Sequence, residues 1–407
     1  MDTPAVPLPQ DAREQVILDR LTVIRDSLLL LKRDRTTYIR SQDVIPLYDD
    51  TIQQVKDLNT ARAESGNKEE NRVDKVLESC FQLLSLFYLT IGRNNEAPAA
   101  YALTSTIKRL LDHLTEVELY SAKDLDSINT TLSRLSTSIR KAEESGASDP
   151  QHSHYLLELF STSEMEKLRA QLLQVGEMRT NGNFCSPDGT AASGADEVLD
   201  LYERCVKWSD MVLERKGQVA EQWKPIYSTL TGIRNELEKL SLTQAWSLRE
   251  TDLYDFQRQL DKLDESRQGG NFYDDKGRPA DLWTQRTLLY LIRRSYAYIY
   301  QLMISSEPVS EALLPVYNQL QTLKRCLRQV KDTGGVSSVR ELYPYSMKLN
   351  SLDNMRQDGK FVVNNDIPEG QGSVSELLAE CFELTYELRV TAEENSEKEA
   401  QTTKAEA

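Results

Sequence analysis

Histidine is nearly absent from this 407-residue chain: His113, His152 and His154 are all it has. A metal or acid–base site therefore has a very small pool to draw on. His152-x-His154 beside Asp149 is the sole cluster, and it sits in a Ser-Asp-Pro-Gln-His-Ser-His stretch where spacing places no third ligand. Cysteine is sparse and odd in number. Cys80, Cys185, Cys205, Cys326 and Cys381 are widely spaced, with no Cys-x-x-Cys pair, which points to a reducing compartment rather than secretion. No local signature pairs a cysteine with a histidine for nucleophilic catalysis.

Other absences exclude further classes. Net positive charge is lacking: 64 acidic against 49 basic residues give −15, which argues against holding a nucleic-acid backbone by bulk electrostatics. No apolar run approaches the roughly 20 residues that cross a bilayer. Even Cys80 to Ile91 is too short, and it contains Gln82 and Ser85. The opening Met-Asp-Thr-Pro-Ala-Val-Pro-Leu-Pro-Gln is acidic and proline-rich, unlike a signal peptide. Neither a Gly-Lys-Ser/Thr phosphate loop nor a Gly-x-Gly-x-x-Gly turn occurs. Gly370-Gln371-Gly372-Ser373 precedes a helical pattern without a strand before it and reads as a flexible lead-in. No stretch reads as a strand.

What is present is leucine-rich, charged and repetitive. The skeleton Leu-x-x-Leu-x-x-x-Arg-x-x-Gly-(Asn/Lys)-Phe appears at Leu260, Leu263, Arg267, Gly270, Asn271 and Phe272. It returns at Leu349, Leu352, Arg356, Gly359, Lys360 and Phe361, and earlier, with Val175 for the second leucine, at Leu172, Arg179, Gly182, Asn183 and Phe184. The arginines stand 88 (267 − 179) and 89 (356 − 267) residues apart. So steady a period marks a duplicated helical unit. Locally the skeleton reads as a helix end: glycine in the left-handed position that closes it, arginine against the negative end of the dipole, phenylalanine folded back on the last turn.

Each unit opens with a helix of a second recurring pattern: Leu21-Thr-Val-Ile24-Arg25, Leu230-Thr-Gly-Ile233-Arg234, Leu320-Gln-Thr-Leu323-Lys324, and a weaker copy at Thr104-Ser-Thr-Ile107-Lys108. A second helix follows, ending at Arg62, Arg267 or Arg356. The third helix is the most apolar and places a small residue beside a large one: Cys80-Phe81, Cys205-Val206, Ser295-Tyr296 and Cys381-Phe382. That pairing suits close helix packing, so Cys80, Cys205 and Cys381 are expected at buried, equivalent contacts, and Cys185, in a polar loop, is expected to be the most reactive thiol. The helix from Trp283 to Met303 interleaves Arg286, Arg293 and Arg294 with Tyr290, Tyr296, Tyr298 and Tyr300. Such a mixture can stack on nucleic acid, but Leu288, Leu291, Ile292 and Ser295 share one face, which favours a buried central helix whose tyrosines reach polar partners.

The expected fold is all-α: repeated antiparallel helical units forming one or two bundles, with disordered ends. The expected organisation is a leader over 1–14 and an N-terminal half over 15–180 with an extra helical segment near 120–165. A C-terminal half follows over 181–392, with polar loops at 182–195, 269–279 and 359–372, and then a disordered tail over 393–407. Leu-Thr-x-Ile-Arg, Cys-Phe-(Gln/Glu)-Leu and the Leu-Trp-Thr-Gln-Arg-Thr-Leu-Leu-Tyr helix together resemble an uncharacterised protein family of fungi, known as a domain of unknown function in two copies. The resemblance spans about 15–392 and implies a cytoplasmic protein, with the nucleus as a second compartment. It carries over no catalytic or binding residue.

Two functional readings result. The first is a non-catalytic helical scaffold or adaptor, not an enzyme, binding protein partners and needing no cofactor, metal, membrane or nucleic acid. The alternative is a sensor of a small anion such as phosphate, using the recurring cations Arg25, Arg62, Arg179, Arg234, Arg267, Lys324 and Arg356. Ion pairing with the many carboxylates accounts for the same seven positions without a ligand.

Overall fold

The computed structural model describes residues 6–65, 70–117, 122–146, 219–244, 248–274 and 276–405. Among them the chain is built from helices α1 (Ala12–Arg33), α2 (Ser41–Ser65), α3 (Arg72–Thr90), α4 (Ala100–Val117), α5 (Ala122–Gly146), α6 (Lys224–Lys239), α7 (Leu253–Glu265), α8 (Leu282–Ile304), α9 (Leu314–Asp332), α10 (Tyr343–Asp353) and α11 (Gln371–Ala405). The described strands are β1 (Arg356–Gln357) and β2 (Lys360–Phe361), a two-stranded antiparallel hairpin. The all-α expectation holds. α1, α6 and α9 are opening helices, α2, α7 and α10 second helices, and α3, α8 and α11 third helices.

Two compact units result: residues 1–29, 48–86 and 95–306 in the first, and 30–47, 87–94 and 307–407 in the second. The last change of unit falls at Ser306/Glu307, whereas the expected division at 180/181 lies outside the described residues. So do Arg179, Cys185, Cys205, His152, His154 and the loop at 182–195. The leader is not bare chain throughout, for the Arg72 N–H donates to the Pro7 carbonyl at 3.0 Å and α1 begins at Ala12. At the other end α11 continues through Ala405, across the segment read as a tail.

Proline sets several helix starts. Pro225, Pro315 and Pro344 stand in the first turns of α6, α9 and α10, where no N–H partner is needed. α8 is opened instead by Asp281, whose carboxylate accepts from the Thr284 N–H at 3.3 Å and its hydroxyl at 2.7 Å.

The small-beside-large pattern resolves into one contact made twice. The Cys80 thiol of α3 donates to the Leu21 carbonyl of α1, and the Cys381 thiol of α11 donates to the Leu320 carbonyl of α9, each at 3.5 Å. Both sulfurs are buried. Burial pushes the Cys80 thiol up to about 12 and Cys381 up to about 11.

The Arg-x-x-Gly-x-Phe skeleton differs from its helix-end reading. α7 ends at Glu265 with Ser266 still right-handed, so glycine does not close it. Gly269 and Gly270 have φ of +55° and +80°, and Asp358 and Gly359 have +49° and +76°. Positive φ at both central residues suits a two-residue turn of the primed type. It is flanked by the bridge Gln268↔Asn271 in one copy and the pair Gln357↔Lys360 in the other. Helix-end and hairpin signals overlap because both call on glycine at positive φ.

The phenylalanine after each turn is buried and held by a glutamine in the first turn of the third helix. Gln285 accepts from the Phe272 N–H through Oε1 at 2.8 Å and donates to its carbonyl through Nε2 at 2.8 Å. Gln371 does the same for Phe361 at 2.9 and 2.8 Å. Gly370 is accordingly no flexible lead-in. Its φ is +96°, and a Cβ there would stand 2.7 Å from the Val309 Cα.

Candidate functional site

In the first unit, α4 and α7 present matching stripes of polar residues. On α4 these are Thr106, Arg109, His113 and Glu116, spaced three and four apart so that they share a face. On and just beyond α7 they are Tyr254, Gln257, Asp261, Asp264 and Arg267. The stripes mesh in parallel order. Gln257 Nε2 donates to Thr106 Oγ1 at 3.1 Å. The Arg109 guanidinium stands 3.6 Å from carboxylate oxygens of Asp261, Asp264 and Glu265. His113 Nε2 lies 3.0 Å from both oxygens of Asp264. Arg267 closes the series on Glu116 at 2.9 and 3.0 Å, donating also to Asp264 at 2.9 Å and to the Gly270 carbonyl at 2.9 Å.

α8 and α3 complete the surroundings. Tyr296 donates to Asp261 at 2.6 Å, and its ring lies 5.6 Å from that of His113. From α3, Gln82 Nε2 donates to Gln257 Oε1 at 3.1 Å, and Ser79 shares a hydrogen bond with Tyr254. His113 is 1% exposed, and its Nδ1 has no hydrogen-bond partner.

The two aspartates, one helical turn apart, are driven in opposite directions. Burial raises the Asp261 carboxyl, and the Tyr296 bond and Arg109 only partly oppose it. Burial also works to raise Asp264, but His113, Arg267 and Arg109 outweigh it and hold that carboxyl below its ordinary value. Asp264 is thus the anionic hub of the stripe.

Among the described residues, the six recurring cations other than Arg179 do not converge on one site. Arg25 donates to Asp26 at 2.9 Å, and Arg234 to Glu238, one turn along its own helix, at 2.9 Å. Arg62 forms two parallel bonds to Asp74, each 2.8 Å, and reaches the buried Glu14 at 3.4 Å. Asp74, which burial would raise, is held down by Arg62 and the Asn71 N–H. Arg267 pairs with Glu116 and Asp264, Lys324 with Glu380, and Arg356 with Asp353. A cleft of about 440 Å³ in the second unit, lined by residues 37–42, 363, 364 and 366–369 among others, contains none of those six. Its Arg40 is engaged by Asp43 at 2.9 Å.

Three of the four tyrosines of α8, Tyr296, Tyr298 and Tyr300, find polar partners, while Tyr290 is exposed. Tyr300 shares hydrogen bonds with Ser127 and Thr131, Tyr298 donates to Glu238 at 3.1 Å, and Arg294 lies 4.5 Å over the Tyr298 ring. Among the described residues no group of three or more His, Cys, Asp and Glu is placed to hold a metal ion, and no helix is long and apolar enough to cross a membrane.

A CUB1 family protein of Schizosaccharomyces pombe is 38% identical over 438 residues, spanning 95% of this chain and 94% of that protein. The chain belongs to the CUB1 family. A second relative, the Cu(2+) suppressing and bleomycin sensitive protein 1 of Saccharomyces cerevisiae, is 33% identical over 508 residues, covering 94% of this chain and 91% of that protein. Residues 103–250 match the family described as protein of unknown function DUF2408, in one segment. No solved structure matches. In this CUB1 family member the matched segment begins on α4, so half of the parallel stripe lies inside it.

Sequence reasoning passed over Thr106, Arg109, His113, Glu116, Asp261, Asp264 and the clamp glutamines. A signal for the stripe does exist: Tyr254, Gln257, Asp261 and Asp264 recur at helical spacing beside the core positions Leu253 and Leu260. A second polar line on an otherwise amphipathic helix marks a second helix to be met.

Proposed function

We propose that this CUB1 family member is a non-catalytic helical scaffold or adaptor that binds protein partners. The supporting observation is that each of the six described candidate cations has a carboxylate of its own chain within 4 Å; Arg62, Arg267 and Lys324 join one helix to another, while Arg25, Arg234 and Arg356 pair within their own helix or at its end. The polar chemistry between α4 and α7 has the same character, linking side chain to side chain in a helix interface. Burying charge in this way sets which helices pair and in what register. The scaffold reading carries with it a cytoplasmic protein, with the nucleus as a second compartment, and a family unit present twice along the chain. The twin Cys–Leu contact and twin Gln–Phe clamp support that duplication.

Affinity purification of the tagged full chain from its native cell, with quantitative mass spectrometry, is expected to return a stoichiometric protein partner. The anion-sensor alternative is tested separately. Inorganic phosphate or pyrophosphate that raises the melting temperature of the wild type, but not of Arg267→Ala, would overturn the scaffold reading.

A further inference from the structure

The third helices share one register. Gln285 and Gln371, Leu288 and Val374, Leu291 and Leu377, Ile292 and Leu378, and Ser295 and Cys381 all correspond at an offset of 86, and the paired glutamine clamps fix it. The second helices correspond at an offset of 89, which places Leu260 on Leu349 and Arg267 on Arg356. The inner faces of the two copies are buried alike. Their other faces are not. Tyr254, Tyr296 and Tyr300 are 7%, 1% and 6% exposed, whereas their counterparts Tyr343, Phe382 and Tyr386 are 64%, 36% and 66% exposed. In the first unit this second face is covered by α4, through Gln257–Thr106 and Asp264–His113, and by α5, through Tyr300–Thr131. The second unit carries the same half of the stripe, Tyr343, Ser346, Asn350, Asp353 and Arg356, and among the described residues no opening helix is laid on it.

We propose that the face formed by α10 and α11 is a docking surface for one amphipathic helix of a partner protein, running parallel to α10 in the place that α4 takes on α7. The proposal rests on the scaffold reading and names its surface. The repeat also specifies the occupant's chemistry. Asp264 serves both Arg267 and His113, whereas Asp353 pairs with Arg356, so a basic side chain belongs opposite Asp353. Arg267 takes Glu116 as well as Asp264, so an acidic side chain belongs one turn further on, opposite Arg356. A small or hydroxyl residue, as Thr106 is opposite Gln257, fits against Ser346. Exposed aromatic side chains flanked by a charge pattern are what a helix-in-groove contact uses. A second copy of the chain is the poorer occupant: its own α4 is already engaged, and each copy carries a net charge of −15.

The probe is a fluorescent peptide of residues Ala100–Val117, the helix that fills this place in the first unit, titrated by anisotropy into the full chain. Saturable binding is expected. It should weaken at least about tenfold in Phe382→Glu/Tyr386→Glu, as for loss of an interface anchor, and be unchanged in Tyr290→Glu, an exposed tyrosine elsewhere. Because both targets are exposed, the double variant should melt with the wild type. A peptide with Arg109→Glu and His113→Glu should bind more weakly. Absence of saturable binding, or equal binding by the double variant, would overturn the proposal. So would a concentration-dependent dimer of the wild type that the double variant abolishes, since a second copy would then cover the face. Native partners that co-purify equally with wild type and double variant would leave the scaffold standing and remove this surface from it.

Discussion

Asp264→Asn keeps the side chain's shape and removes the charge that His113, Arg267 and Arg109 all address. Arg267 is 7% exposed at its side chain and Asp264 6%, so the loss is felt where water compensates little. Breaking a buried pair by removing one partner costs about 3–5 kcal/mol. Here Glu116 still neutralises Arg267, and asparagine still offers one acceptor, which lowers the expected cost to about 2–4 kcal/mol. At roughly 2–4 °C per kcal/mol for a unit of this size, the first unit should melt on the order of 5–15 °C earlier. Tryptophan fluorescence reads the effect, because Trp223 and Trp283, the tryptophans among the described residues, both fall within residues 95–306 of the first unit. The pH dependence provides an independent check. Asp264 is held below its ordinary value in the fold, so its contribution is present above the unfolded carboxylate range and is lost as pH falls through the folded value. Asp261 is raised, so its burdens the fold above its folded value and the burden lifts on acidification. Asp264→Asn should therefore flatten the acid limb of the stability curve. A variant within about 0.5 kcal/mol of wild type at pH 7, with the acid limb unchanged, would refute the reasoning.

Timed alkylation of the native protein should label the exposed Cys326 well before Cys80 and Cys381, whose thiols are buried and pushed up; early modification of Cys381 would contradict the packing of α9 on α11. Gln285→Ala and Gln371→Ala each remove two bonds to a phenylalanine backbone and should cost about 1–3 kcal/mol in denaturant melts, the first read by tryptophan fluorescence and the second by far-ultraviolet circular dichroism. Gly370→Ala should destabilise the second unit by more than about 1 kcal/mol, since its φ is +96° and the new Cβ meets Val309 backbone at 2.7 Å; a neutral result would show that this turn relaxes freely. Arg62→Ala leaves Glu14, 2% exposed, and Asp74 together, and should cost about 2–4 kcal/mol, with Arg62→Lys recovering only part because lysine cannot form the two parallel bonds.

The helical class, the three-helix repeat and the buried cysteines were legible in the chain because they rest on local periodicity. Leucines three and four apart define a face, and a small residue beside a large one recurs wherever two helices meet closely. The sequence by itself therefore determined that Cys80 and Cys381 are equivalent and that a tight feature follows Arg267 and Arg356. Whether that feature is a helix cap or a hairpin was decided by tertiary structure. A glycine at positive φ serves both, and it is Gln285 and Gln371, contributed from the next helix, that clamp the phenylalanine backbone beyond each hairpin. The partner of each recurring cation was likewise set in three dimensions: Arg62 meets Glu14 across 48 positions and Arg267 meets Glu116 across 151. Periodicity shows which residues share a face but not which face they meet, and the same stripe is buried on α7 and open on α10 because α4 lies against only the first.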